Sequence, residues 1–514
     1  MEQAEGILTE PILESSGTTR GFPDIHEALS LINEYFEDFN STMPLFKQTS
    51  FMKLVQEWYS QKSQRNTQSL AALNIVLAIA YRLRAMRSLP GAQEDLRASA
   101  HLNSSQAILH EITTRDTNLL DIQILLGIAV MFLGTSNSKP AAIIIATAIK
   151  LVHSLRIHSQ SGFYYREDFC SDDAEQRDRV LWIAYCLDKD MSVKTLQPSM
   201  LKCEDIDLEY PKDDMMSGSG VIYTIDGKRS INFFRSRVTL AVIQGRIYDN
   251  LYSVSALKQS PDIQANIVQQ LDNELEEWRV NLPSEFHPSE IAHTLTESSM
   301  ISMVVLHLTY LQCFVLIHRI YLHDAFWTGR IMARTKAIQK DDISPGYLSS
   351  ILPAGWDRVV ARTRMYLGLV YLLPQGNYPC IWYVVQICPV LLFADYNYRL
   401  VLCAIGSGAI TLLANALDSP GHRMIDSDLQ LVAQIIRLLG RLTKEVSCRP
   451  LVRMMQFCVE LEMKARIMQE TESPVVTGRK RKRQYVESLQ DEEAYLNSFI
   501  ASEMAADTDI YSLQ

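Results

Sequence analysis

An all-α protein is the fold class that this sequence predicts, built as one large multi-helix body with a flexible C-terminal tail. Three observations lead there. Apolar residues recur three and four positions apart over long stretches between residues 24 and 470, which is the period of an amphipathic helix. Glycine and proline are sparse, 21 and 18 in 514 residues, too few for the turns of a many-stranded sheet protein. No strand-like alternation recurs between the helical segments, and no fixed-length repeat marks a solenoid. At 47% hydrophobic and 21% charged residues the composition is that of a folding chain.

The elements follow in order. Residues 1–21 are polar and read as a loose lead-in. From Asp24 the apolar positions Ile25, Leu29, Ile32, Phe36 and Phe39 predict a first helix, broken at Pro44. A short second helix carries Phe51, Leu54, Val55 and Trp58. Helices are expected at about 69–87, 92–114, 118–133 and 140–157, the last apolar nearly all round and therefore central and buried. Asp172 and Glu175 resemble a capping box. The helix behind them sets Val180, Ile183, Ala184, Leu187 and Met191 on one face and ends at Pro198. Residues 201–231 are irregular, with a hairpin expected at Val221 to Ile225 followed by Asp226-Gly227, and this stretch is the candidate mobile loop or subdomain boundary. Helices resume at about 232–255, 260–281, 298–325, 348–373, 380–395, 399–417, 424–446 and 449–470. One all-helical body over 22–470 results, with a division into two halves left open.

The net charge of -10 means that contact with nucleic acid needs a local basic patch. Arg479, Lys480, Arg481, Lys482 and Arg483 supply one, inside a linker spanning 471–484. Residues 485–514 then hold seven acids and no Lys or Arg. The basic run has the form of a nuclear import signal, with a solvated charged turn as the plainer alternative. In the acidic segment Tyr495, Leu496, Phe499 and Ile500 form two i, i+4 pairs, a pattern that folds as a helix into a coactivator groove or docks on its own body. The nine cysteines are widely spaced, with no C-x-x-C pair, as in a reducing compartment. The first residues are acidic and lack an apolar core, so no secretory signal is expected. The apolar stretches at 119–133 and 379–394 read as buried helices and not as membrane spans.

No catalytic constellation emerges: no H-E-x-x-H, G-x-S-x-G, Walker loop or Gly-rich dinucleotide turn. His153 and His158 are five apart, as are His318 and His323, whereas a one-face metal pair needs four. Gly406-Ser407-Gly408 suits close helix packing, and the pairs Glu276-Glu277 and Asp213-Asp214 read as solvated. No catalytic residue, metal or cofactor is expected.

A family likeness is carried by several segments. Tyr35-Phe36, Phe39, Pro44-Leu45-Phe46 and Phe51 resemble the opening of the fungal-specific transcription factor domain, the middle homology region of fungal zinc-cluster regulators. The Ala-rich helix leading to Leu155-Arg156-Ile157-His158 resembles that family's "lGLHr" ending, with Arg156 in place of the glycine. The strongest run holds Glu175, Arg177, Arg179, Trp182, Tyr185, Asp188 and Lys189, then Gln197-Pro198, Asp205-Ile206-Asp207 and Pro211, with Leu196-Gln197 where the family has Gly-Arg. Phe234-Arg235, Leu240, Tyr248, Leu275, Trp278, Leu282-Pro283 and His318-Arg319 also fit. The likeness covers about 22–330, and the rest by helical character alone.

Physically, Trp182, Tyr185 and Leu187 are expected in the core, and Arg177, Arg179 and Asp188 in an ion-pair network that fixes neighbouring helices. A contact with an effector or partner is the alternative. Members of the family usually begin with a six-cysteine zinc cluster, whereas here the first cysteine is Cys170. Either autonomous zinc-cluster binding is lacking or the gene model has lost an exon. The resemblance implies a nuclear transcription regulator of a biosynthetic (secondary-metabolite) or catabolic gene cluster. Its expected partners are the transcription machinery or a coactivator, DNA directly or through a partner, and a homo- or heterodimer with a zinc-cluster factor, with no membrane. The alternatives are a coregulator without its own cluster, acting through a partner, and an all-α metabolic-cluster enzyme on a regulator-like scaffold.

Overall fold

The computed structural model describes residues 22–472 except 61–64, 88–91, 113, 135–138, 160–170, 213–218, 323–351, 353–354, 374–403 and 446–448. The lead-in, the helix expected at 380–395, and the basic and acidic segments lie outside the described residues. What is described is all-α apart from one small hairpin.

The first half contains α1 (Ile25–Glu34), α2 (Gln48–Ser60), α3 (Thr67–Arg87), α4 (Ala92–Gln106), α5 (Leu109–Ile112), α6 (Leu119–Leu133), α7 (Lys139–Ser154) and α8 (Ser171–Thr195). Local chemistry sets the starts. Asp24 caps α1 by accepting from the backbone N–H groups of His26 and Glu27, which satisfies donors that no earlier carbonyl reaches. A capping box forms at Asn118 and Asp121. The side chains at the start of α8, Asp172 included, lie outside the described residues.

The helix expected to be most central, α7, is one-sided: Ile145, Ala148 and Val152 are buried, but Ile143 is 67% exposed. The central positions belong to α3 and α6, whose buried residues run nearly all round. Composition placed α7 inside because its outward face carries Ile143, an isolated surface isoleucine of an ordinary kind.

The hairpin pairs β1 (Val221–Tyr223) with β2 (Ser230–Asn232), antiparallel, with Ile222 opposite Ile231. Gly227 supplies the positive φ in its turn, and Asp226 accepts from the Lys228 N–H. The hairpin feeds α9 (Phe233–Ile247). There follow α10 (Pro261–Val280), α11 (Ile291–Thr294), α12 (Glu297–Leu322), α13 (Trp356–Leu367), α14 (Ala404–Asp418), α15 (Ile425–Glu445) and α16 (Arg449–Glu472).

Two apolar cores result. One gathers α1 to α8; the other gathers the hairpin and α10 to α16. Helix α9 divides itself between them. Phe234, Val238, Ala241 and Val242 enter the first core, and Phe233, Leu240, Ile243 and Ile247 enter the second. The two sets lie on opposite sides of a 3.6-residue period, so one helix serves as the common wall.

Helices α3 and α12 are long and apolar enough to cross a membrane. Most of that surface is buried within the protein: 67% of the apolar window of α3 and 78% of that of α12. Gly406 and Gly408 lie in α14 at close crossings. A Cβ on Gly406 would meet the Met454 sulfur of α16, and one on Gly408 would stand 3.2 Å from Thr363 of α13.

Candidate functional site

The family run on α8 forms a clip. The Asp188 carboxylate accepts from the backbone N–H of Met200 at 3.0 Å and of Leu201 at 2.9 Å. Lys189 donates to Ser199 Oγ and to the Leu201 carbonyl, and its ammonium lies over the Tyr185 ring. The Trp182 indole N–H donates to the Glu209 carbonyl at 3.1 Å. Together these groups hold the irregular chain beyond exposed Pro198 against the helix. Burial pushes the Asp188 carboxyl up while the two backbone donors pull it down.

The network expected among Arg177, Arg179 and Asp188 is not how these residues are arranged. Arg179 pairs with Glu175 at 2.6 Å, and buried Arg177 lies 3.6 Å from Asp178. Asp188 stands two and a half to three turns further along the helix, roughly 13–17 Å at 1.5 Å per residue, beyond the reach of either guanidinium. Glu276 is likewise not merely solvated. It is half-buried, accepts from Arg279 at 2.7 Å, and pairs with Arg362 of α13 at 2.6 Å. These arginines hold its carboxyl down at about 2. Glu277 is exposed, and Asp213 and Asp214 lie outside the described residues.

At the other end of α8, Gln176 donates to the carbonyls of Pro44 and Leu45 at 3.1 and 2.9 Å. Gln123 of α6 donates to the same Leu45 carbonyl at 2.6 Å. Asn40 brackets Phe46, accepting from its N–H and donating to its carbonyl, both at 3.0 Å. The Pro44-Leu45-Phe46 segment is thereby fixed by two helices and by Asn40 in the turn before it.

Sequence reasoning passed over a buried polar cluster where α8 meets α9. Arg237 and Gln244 of α9 both donate to Asp190 Oδ1. All three are buried, as is Lys194, whose ammonium is drawn down to about 8 by desolvation although Asp190 opposes the shift. The available signal was an arginine inside the apolar run of α9, because a buried charge requires a partner.

Next to this cluster lies an apolar cavity of about 230 Å³ between the two cores. The α3 residues Ile79 and Met86, Val130 of α6, Ile183 of α8, Phe234 of α9 and Ile301 of α12 all line it. Three arginines, Arg82, Arg87 and Arg237, and the acid Asp38 also line it. A second, open cleft of about 540 Å³ lies by Trp182, Cys203, Tyr210 and Arg235 under the clipped chain.

The rings of His153 and His158 do meet, with centroids 4.9 Å apart, because the chain turns back at Arg156, whose φ is +50°. Among the described residues no group of three or more His, Cys, Asp or Glu is placed to hold a metal ion. His323 lies outside the described residues.

This is the architecture of a helical scaffold with a clipped loop and a half-open pocket. Residues 32–280 of the chain match the fungal specific transcription factor domain. The chain is 33% identical over 474 residues to an ABC-transporter-regulating transcription factor of Aspergillus oryzae, an alignment covering 91% of this chain and 50% of that protein. A protein of the same description in Aspergillus fumigatus is 34% identical over 466 residues, covering 90% of this chain and 49% of its own length. The Fusaridione A cluster transcription factor of Fusarium heterosporum is 28% identical over 472 residues, covering 89% and 81%. The chain thus spans about half the length of the two Aspergillus proteins. No solved structure matches it.

Proposed function

We propose that this protein is a nuclear regulator of transcription and not an enzyme. The observation that carries this reading is the continuity of the likeness. About nine-tenths of the chain aligns with proteins named as transcription factors, so the likeness runs well beyond the 249 residues of the family domain. In this reading the helical body positions effector segments. The basic run Arg479, Lys480, Arg481, Lys482 and Arg483 is the import signal in the 471–484 linker, and residues 485–514 are the activation segment. Tyr495, Leu496, Phe499 and Ile500 present its apolar face to a coactivator. DNA is reached directly or through a zinc-cluster partner. The names of the relatives favour target genes for a transporter or for a biosynthetic cluster.

The test is to image the chain, tagged at its C-terminus, beside a variant with the five basic residues changed to alanine. Residues 485–514 are fused in parallel to a heterologous DNA-binding module with a reporter. Nuclear signal lost in the variant, together with reporter activation that falls at least fivefold on Phe499→Ala, supports the reading. Cytoplasmic signal in both forms and a silent reporter would remove it.

A further inference from the structure

We propose that the cavity between the two cores is a binding site for a small amphipathic carboxylate, an apolar chain of moderate length ending in one anionic group. The lining argues for the apolar body. It is formed by aliphatic, aromatic and methionine side chains from α3, α6, α8, α9 and α12, and its about 230 Å³ falls below the roughly 300–1,000 Å³ of pockets that take drug-sized ligands. The guanidiniums argue for the head group. Arg237 is matched by buried Asp190, and Arg87 by Asp38 at 2.6 Å.

Arg82 is matched poorly. Its Nη1 stands 3.4 Å from an Asp95 carboxylate that is half exposed, and its Nε–H is buried without an acceptor. A guanidinium carries five donors in a fixed fork that suits a carboxylate. One cation of three thus has donor capacity to spare, which selects a monoanion over a neutral or cationic ligand. Such a ligand would touch α3 and α6 of the first core and α12 of the second, so its binding would hold the cores together. This inference stands apart from the regulatory reading, since it concerns binding by the isolated chain.

The experiment is titration calorimetry and thermal unfolding of the full chain with decanoate below its micellar concentration, with decanol and decyltrimethylammonium as comparators. Saturable decanoate binding is expected, with a rise in unfolding temperature by mass action. Decanol should bind at least tenfold more weakly and the cation not measurably. Arg82→Gln should weaken decanoate about tenfold and leave decanol unchanged, which separates lost charge recognition from lost folding. Ile301→Trp and Val130→Trp, both at half-buried positions and checked for helical content, should fill the cavity and abolish binding of both. Absence of saturable decanoate binding by the native chain, undiminished binding by both folded tryptophan variants, or undiminished decanoate binding by Arg82→Gln would each overturn the proposal.

Discussion

Arg156 and Leu196 are the two described non-glycine residues with positive φ, +50° and +52°. They are also the two positions at which the sequence departs from a glycine of the family pattern. The left-handed conformation crowds a Cβ against the next carbonyl, at a cost of roughly 1–2 kcal/mol. Arg156→Gly should therefore raise stability by about 1 kcal/mol in urea unfolding, because its exposed side chain contributes little. Leu196→Gly should gain less, since Leu196 packs against the second core. At Asp188, substitution by alanine removes charge-assisted bonds to two backbone N–H groups and should cost about 2–3 kcal/mol. It should also speed proteolysis within 196–212. An unchanged urea midpoint would refute the role given to the clip.

Two buried imidazoles set an acid limit at the same scale. Burial draws His307 down to about 4, although its Nε2 contact with the Phe286 carbonyl opposes this. Burial beside Arg97 does the same to His101, with Glu27 opposing. Both are neutral when folded, while unfolded imidazoles take up protons below about 6.5. Stability is thus fully present above that value and falls as pH drops toward 4, by roughly 3 kcal/mol for each histidine. Urea midpoints at pH 7 and pH 5 check the sign, and His307→Gln should flatten the slope. A midpoint that rises on acidification would contradict the assignment.

At the scale of the element, helix boundaries were legible wherever a period of 3.6 met a cap or a proline. The predicted 118–133 and 449–470 nearly coincide with the observed Leu119–Leu133 and Arg449–Glu472. The hairpin was legible from Asp226-Gly227. The polar partners were not, because they depend on which helices meet. Asp190 finds Arg237 forty-seven residues away, and nothing in local spacing announces that distance. The crossing of α3 and α6 was equally invisible. A Cβ on Gly127 would stand 2.7 Å from Ile75 Cγ1, so Gly127→Ala should destabilise by about 1–3 kcal/mol. Combined with Ile75→Ala it should cost less than the sum of the single changes, since the second change opens the space the first needs.

At the scale of the molecule, two cores share α9 as a wall and flank a half-open pocket at the join. The all-α class was legible from composition and period alone. The division into two cores was not, because α9 gives one face to each and reads in sequence as one more helix of the series. In the regulatory reading, the output of such a scaffold depends on what it holds and what it presents. The central claim is that the output is transcription. It is tested most directly by tagging the native protein at its chromosomal locus, mapping the DNA it occupies, and measuring transcripts when the gene is deleted. Occupancy at a limited set of promoters whose transcripts change on deletion is the predicted result. A protein absent from chromatin, with transcripts unaltered by its loss, would contradict the account.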